Sequence, residues 1–246
     1  MKKSLLLTGA MMLFAAAAFA SGVNLTWSST GCWTEDPHAN KAFACNSNTG
    51  SNVLTCSFAP ANDEPTFVGI ESIVDLQADA ATVPAWWEFF SGGCRSTALS
   101  ASADFTTASQ VSCVDVFAGL AGGGITAYKT MANFVGVPEV FTPYGGRIKA
   151  AFAVATEAPL TAGTEYYADK MSISNAKSTG TGSCAGCATG VTIVLNQIRS
   201  GETSGAFEIL NNAISSQCVT WQTSSISCAA VPVHNRSWGQ IKSLYR

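Results

Sequence analysis

Nine cysteines, spread along the chain from Cys32 to Cys228, constrain the fold of this protein more than any other feature of its sequence. In a cytosolic protein such thiols would point to metal binding or redox chemistry, whereas in an exported protein they form disulfides that staple loops together. The compartment therefore decides how the cysteines are interpreted, and the N-terminus of the chain carries the relevant signal.

The start of the chain contains the three parts of a secretory signal peptide. Two lysines follow Met1, an apolar stretch runs over residues 5–19, and an A-x-A cleavage signal ends at Ala20. We therefore predict a signal peptide over residues 1–20 and a secreted protein, periplasmic or extracellular, with no membrane span after cleavage. The alternative is an uncleaved anchor helix, although the apolar stretch is short for a bilayer.

Eight of the nine cysteines are expected to form four disulfides, because an odd number leaves one thiol over. Pairing neighbours along the sequence gives Cys32–Cys45, Cys94–Cys113, Cys184–Cys187 and Cys218–Cys228. Cys56 is then the free thiol, and it lies between Leu54 and Phe58 on one face of a predicted strand, where it serves as a small buried hydrophobe. The alternative joins Cys45 to Cys56 across a turn and leaves Cys32 unpaired.

Cys184 and Cys187 form a C-x-x-C pair, a spacing that redox enzymes and zinc sites also use. A redox pair begins a helix, whereas this pair lies among Gly, Ser and Thr residues typical of a loop. A zinc site needs a second pair of ligands, and haem attachment needs a histidine at the position of Ala188. We therefore predict a structural disulfide here, with no metal and no cofactor.

Alternation of apolar and polar residues with period two predicts short, half-buried strands along most of the chain. The predicted strands are 23–27, 41–46, 52–59, 66–77, 85–90, 110–117, 124–131, 147–156, 164–175, 191–198, 205–210 and 217–222. Gly-rich turns separate them, and only residues 196–214 offer an alternative, one short helix. The pattern predicts an all-β protein, an antiparallel β-sandwich or jelly roll of about ten strands with disulfide-stapled loops, and a single domain over residues 21–246.

The charge and composition of the chain narrow the classes of function. Only 12% of the residues are charged, and no basic stripe accompanies the net charge of −3, so we expect no nucleic-acid partner. The sequence has two histidines, His38 and His234, and no G-x-S-x-G elbow, which disfavours a serine hydrolase. We therefore predict a non-catalytic structural or interaction protein of the cell envelope or extracellular space rather than an enzyme.

One segment, Trp86-Trp87-Glu88, favours a different function, the binding of a carbohydrate. In a strand over residues 85–90, Trp87 would pack in the core with Phe89, and Trp86 would lie on the other face beside Glu88. An exposed Trp86 beside a carboxylate would form a sugar-stacking face. The alternative function is therefore a carbohydrate-binding or carbohydrate-acting β-sandwich, although aromatic core packing explains the same residues more simply.

Several short motifs carry a resemblance to a group of known proteins. They are CNSNTG at 45–50, WW at 86–87, GCR at 93–95, AGTEYY at 162–167, CAGC at 184–187 and WGQIKSLYR at 238–246. Together they resemble those of a group of exported, uncharacterised bacterial proteins. The resemblance implies an exported domain with disulfides and carries over no activity or functional residue. The sequence identifies no partner; the two candidate functions correspond to a glycan or to another envelope protein.

Overall fold

The structure, a computed structural model, describes residues 20–130, 145–226 and Cys228. The predicted signal peptide lies outside this part of the chain except for Ala20, and His234 also lies outside it. Within the described residues, no helix is long and apolar enough to cross a bilayer.

Eleven strands form most of the regular structure in the described residues, and the helix among them is a single 3-10 turn over Ala85–Trp87. The strands are β1 (Gly22–Thr26), β2 (Asn40–Lys41), β3 (Ser51–Ala59), β4 (Glu64–Ala78), β5 (Leu99–Ser102), β6 (Gly122–Thr130), β7 (Gly145–Leu160), β8 (Tyr166–Ser174), β9 (Val191–Glu202), β10 (Phe207–Leu210) and β11 (Cys218–Trp221). The long strands β4, β7, β8 and β9 are those with the clearest period-two alternation.

The strands form two sheets. The smaller has the order β1-β3-β8-β5, and the larger has the order β2-β11-β9-β4-β7-β6, with β10 beside β9. Strands β2 and β11 run parallel, and the other pairs of strands run antiparallel. Because the chain changes sheet at each step from β2 to β6 and again from β7 to β9, the strands interleave as in a jelly roll. The predicted all-β sandwich is confirmed.

Alternate side chains of the strands meet between the two sheets and form the main core. Leu54 and Cys56 of β3 and Val74 and Leu76 of β4 belong to this core, and all four are at most 2% exposed. Ile148 of β7 joins the same cluster. Burying a side chain of this kind contributes about 1.5–3 kcal/mol to folding. Successive residues point to opposite faces, so the remaining half of each strand in the larger sheet faces away from this core.

One predicted strand takes another form because local contacts override the alternation, and of the predicted strand 41–46 only Lys41 lies in a strand, β2. Residues 110–117 form a loop instead of a strand, since the carboxylate of Asp115 accepts the amides of Phe117 and Ala118 and closes a turn. The alternative of a helix over residues 196–214 is wrong, because the end of β9 and all of β10 lie there, in agreement with the predicted strands 191–198 and 205–210. The pairing of β10 with β9 stabilises that hairpin.

The predicted strand over residues 85–90 is also wrong. Pro84, with φ of −64°, precedes the 3-10 turn, and the amide of Trp87 donates to the carbonyl of Pro84. The amide of Trp86 donates to the carbonyl of Ala185 rather than to a neighbouring strand. The turn brings both indoles to the same side, which a regular strand does not allow.

The four disulfides join Cys32 to Cys113, Cys45 to Cys187, Cys94 to Cys184, and Cys218 to Cys228, and Cys56 is a buried free thiol. Pairing by sequence neighbourhood is therefore wrong for three of the four bonds, and so is the alternative bond from Cys45 to Cys56. The C-x-x-C cysteines do not bond to each other. In an interleaved sandwich, loops that meet at one end come from distant strands, so three of the bonds span 81, 90 and 142 residues.

Candidate functional site

The predicted sugar-stacking residue Trp86 is not accessible to a ligand. Its relative exposure is 0%, and that of Trp87 is 1%. The indole of Trp86 stacks on Trp221 with ring centroids 4.9 Å apart, and its Nε1 donates to the Ser178 hydroxyl at 3.0 Å. The guanidinium of Arg95 lies over the same ring. Trp86 is therefore a core residue, which corrects the prediction that it lies on a ligand-binding face.

Glu88, the other predicted ligand-binding residue, has a structural contact. Its Oε2 accepts the backbone N–H of Cys94 at 3.3 Å, and its carbonyl accepts the N–H of Arg95 at 3.1 Å. Cys94 is bonded to Cys184, so Glu88 lies against a loop that a disulfide holds in place. With Trp86 buried, Glu88 does not combine with it in a sugar site.

A groove on the outer face of the larger sheet is another candidate site. Its floor is one row of register partners, with Gly201 of β9 opposite Gly69 of β4, Gly69 opposite Ala153 of β7, and Ala153 opposite Gly122 of β6. Phe207 of β10, opposite Gly201, forms its side wall. We name this site, made of these five residues and their neighbours, the outer groove; its volume is about 410 Å³.

The floor is low because small residues occupy the outward positions of adjacent strands. On β7, Ala153 faces outward while Phe152 packs in the core. At Gly69 a Cβ atom would lie 2.4 Å from the Phe152 carbonyl oxygen, so close strand packing requires glycine there. At Gly201 the nearest atom to a Cβ is 3.9 Å away, and at Gly122 there is none within 4 Å. These two glycines leave open space above the sheet.

The walls of the outer groove carry one aromatic ring and several charges. Phe207 is 54% exposed, and Cζ of Arg199 lies 4.0 Å from its ring centroid. Glu71 forms an ion pair with Lys149 at 3.1 Å. Oε2 of Glu202 accepts the hydroxyl and the amide of Thr66 at 2.8 and 3.3 Å. The groove thus combines an apolar floor with charged groups at its margin.

The carboxyl group of Asp169 is buried in the core, between the two sheets. Asp169 of β8 is the register partner of Cys56, both are fully buried, and Asp169 receives no hydrogen bond of normal geometry in the described part of the chain. Burial raises the pKa of Asp169 to about 7, although the Ser72 hydroxyl and the Cys56 thiol beside it oppose the rise. Burial and the charge of Asp169 raise the pKa of Cys56 as well, so its thiol stays protonated and unreactive.

One cluster has the spacing of metal ligands without their chemistry. A sulfur atom each from Cys32 and Cys113 and a carboxylate oxygen of Glu165 lie within 4.8 Å of one another. The two sulfurs are bonded together, so neither is a thiolate ligand. Glu165 already accepts the Asn24 amide at 2.8 Å and the Ser57 hydroxyl at 2.6 Å. The carboxylate therefore links the loop before β8 to strands β1 and β3.

Sequence reasoning missed the residues of the outer groove, although part of the signal was visible. Ala151 and Ala153 occupy the outward positions of the predicted strand 147–156, and Gly69 does so in the strand 66–77. Small residues at successive outward positions indicate a surface that admits close approach. Their alignment across four strands depends on register, which the sequence does not display.

The chain has no match among models of known protein families, and no curated protein matches it.

Proposed function

We propose that this protein is an exported, non-catalytic interaction domain of the cell envelope or extracellular space, and that it binds its ligand in the outer groove. Its four disulfides are typical of proteins from an oxidising, extracellular environment. The resemblance of its motifs to exported bacterial proteins supports the same location.

The observation that carries the proposal is the row of small residues beside an exposed aromatic ring. Gly201, Gly69, Ala153 and Gly122 lie side by side across the sheet, and Phe207 stands at the end of the row. Ligand sites are concave and mostly apolar, with a few polar groups that set orientation, and a volume of about 410 Å³ falls within their usual range of about 300–1,000 Å³.

The acids at the margin of the groove support binding rather than catalysis. Glu71 is held by Lys149, and Glu202 is held by both polar groups of Thr66. Such contacts fix the position of a carboxylate, which suits orientation of a ligand better than proton transfer. The carbohydrate alternative loses the support of Trp86 and Glu88, and a sugar remains a hypothesis for the outer groove alone.

Nuclear magnetic resonance titrations of the full chain, expressed for export and labelled with ¹⁵N, test this function. The probes are a defined set of neutral sugars, organic acids and short peptides. We expect the shifted amides to cluster at Gly69, Gly122 and Gly201. Ala153→Trp, which fills the groove, should abolish the shifts, whereas Ala155→Trp on the same strand should retain them. Shifts elsewhere on the protein, or none with any probe, would contradict the proposal.

A further inference from the structure

We propose that the outer groove recognises a carboxylate on its ligand, and that Arg199 is the residue that binds it. This inference rests on the proposed function of the groove. It adds the chemical class of the ligand: a molecule with an apolar or CH-rich face that lies on the glycine and alanine floor, and one carboxylate at its edge.

The ion pairs around the groove lead to this assignment, because Lys149 is paired with Glu71 and Arg199 has no ion pair in the described residues. Glu71 pairs with Lys149, and Glu202 accepts two hydrogen bonds from Thr66. Within the described residues, Arg199 takes part in no ion pair, and its one assigned contact is with the ring of Phe207. Arg199 therefore offers the groove a cation that no ion pair engages in this part of the chain, while Glu202, whose partner Thr66 is neutral, keeps its negative charge.

Phe207 holds the guanidinium in place without using its hydrogen-bond donors. A guanidinium over an aromatic face interacts through its plane, so its N–H groups at the edge remain available. Arginine binds a carboxylate through two parallel N–H···O bonds, a geometry that depends on a fixed orientation of the fork. The guanidinium of Arg199 lies over Phe207, with Cζ 4.0 Å from the ring centroid, which restricts the orientations open to the fork.

The floor determines what else the ligand needs. Gly201 and Gly122 leave open space above the strands, so a flat group can approach the backbone of the sheet closely. The carbon-rich floor favours an apolar surface over a second charge. An acidic sugar and an aliphatic acid both meet this description, because each places a carboxylate beside CH groups.

Paired titrations of the full-length protein distinguish these sources. The probes are galacturonate as an acidic sugar and hexanoate as an aliphatic acid, each with one carboxylate and each compared with its methyl ester. We expect at least one acid to bind, and its ester to bind much more weakly. Arg199→Gln should weaken binding of that acid by about 10- to 100-fold, as expected for loss of a charge-assisted pair.

Lys170→Gln is the matched control, because Lys170 of β8 also lies over an aromatic ring, that of Phe105, but on the smaller sheet. It removes the same charge and should leave the affinity unchanged. Equal binding of acid and ester, or equal effects of the two substitutions, would overturn the carboxylate assignment. If neutral probes alone bind, and Ala153→Trp blocks them, the carboxylate assignment fails while the groove remains the binding site. If Ala153→Trp blocks no probe, both fail.

Discussion

The guanidinium of Arg95 lies over the indole of Trp86, with its central carbon 3.6 Å from the ring centroid. Both side chains are buried, and burial lowers the pKa of Arg95 to about 10. The guanidinium donates to the backbone carbonyls of Trp86, Ser174 and Ala176, so its charge is solvated by the protein. Arg95 and Trp86 therefore contribute to the packing of the core, and substitution of the buried tryptophans measures that contribution to folding stability.

The first prediction is that Trp86→Ala and Trp87→Ala destabilise the protein to a similar degree. Both indoles are buried, and removing a buried Trp typically costs about 3–5 kcal/mol. Denaturant unfolding followed by circular dichroism measures the difference. Phe90→Ala, which removes a half-buried ring stacked on Tyr128, should cost clearly less. A Trp86→Ala protein as stable as wild type would contradict the burial of that ring.

A second prediction concerns pH and the buried carboxyl of Asp169. Its pKa is raised from an ordinary value of 3.8 to about 7, so between these values the folded protein holds a proton that the unfolded chain has lost. Folding stability should therefore fall as pH rises from about 4 to about 7, by roughly 4 kcal/mol, and then level off.

Asp169→Asn is the variant that checks this assignment. It should be more stable than wild type at pH 8 and should lose most of the pH dependence. Burial also raises the pKa of Glu64, so a smaller slope of the same sign should remain. Urea unfolding at several pH values gives the comparison. A wild-type protein whose stability is flat or rises over this interval would contradict a buried, raised Asp169.

The alternation of side chains predicted the strands of this fold because period two is a local property. Residues 66–77, 147–156 and 191–198 all fall within observed strands. The prediction of a strand at Trp86 and Trp87 failed because alternation is a local rule. It does not show that a turn begins after Pro84, or that the Trp86 amide donates to the distant carbonyl of Ala185.

The disulfide partners and the candidate site depended on long-range geometry. Cys184 and Cys187 lie three positions apart, yet each reaches a different distant loop. The outer groove likewise requires that Gly201 and Gly69 fall opposite each other, which is a matter of register between strands far apart in sequence. A sequence shows small residues on one face but not which of them become neighbours.

The third prediction ranks two disulfides by the length of the loop that each closes. The bond from Cys45 to Cys187 spans 142 residues, and that from Cys218 to Cys228 spans 10. The chain-entropy estimate gives losses of about 5 and about 3 kcal/mol when each pair is replaced by alanine. Unfolding of the two double variants measures the order, and peptide mapping of the unreduced protein checks the bonds. Recovery of a peptide joining Cys184 to Cys187 would contradict the structure.

The fourth prediction concerns the free thiol. Cys56 is fully buried in the core, and its pKa is raised by burial and by Asp169, so the folded protein should react little with alkylating reagents. After denaturation without reduction, one equivalent of iodoacetamide should react, and mass spectrometry should locate it at Cys56. Rapid labelling of the native protein, or labelling of another cysteine after denaturation, is the contrary result.

The last prediction compares two glycines in the floor of the outer groove. A Cβ at Gly69 would lie 2.4 Å from the carbonyl oxygen of Phe152 and 3.0 Å from Cα of Ala153, both backbone atoms of the neighbouring strand. Gly69→Ala must therefore push β4 and β7 apart, and overpacking of this kind costs about 1–3 kcal/mol. Gly201→Ala meets nothing closer than 3.9 Å and should change stability by less than about 0.5 kcal/mol. Thermal unfolding of the two variants gives the ranking. Equal stabilities would mean that the strands are less tightly packed at Gly69 than this geometry requires, whereas the expected order identifies Gly69 as a packing residue and Gly201 as one whose small size keeps the groove open.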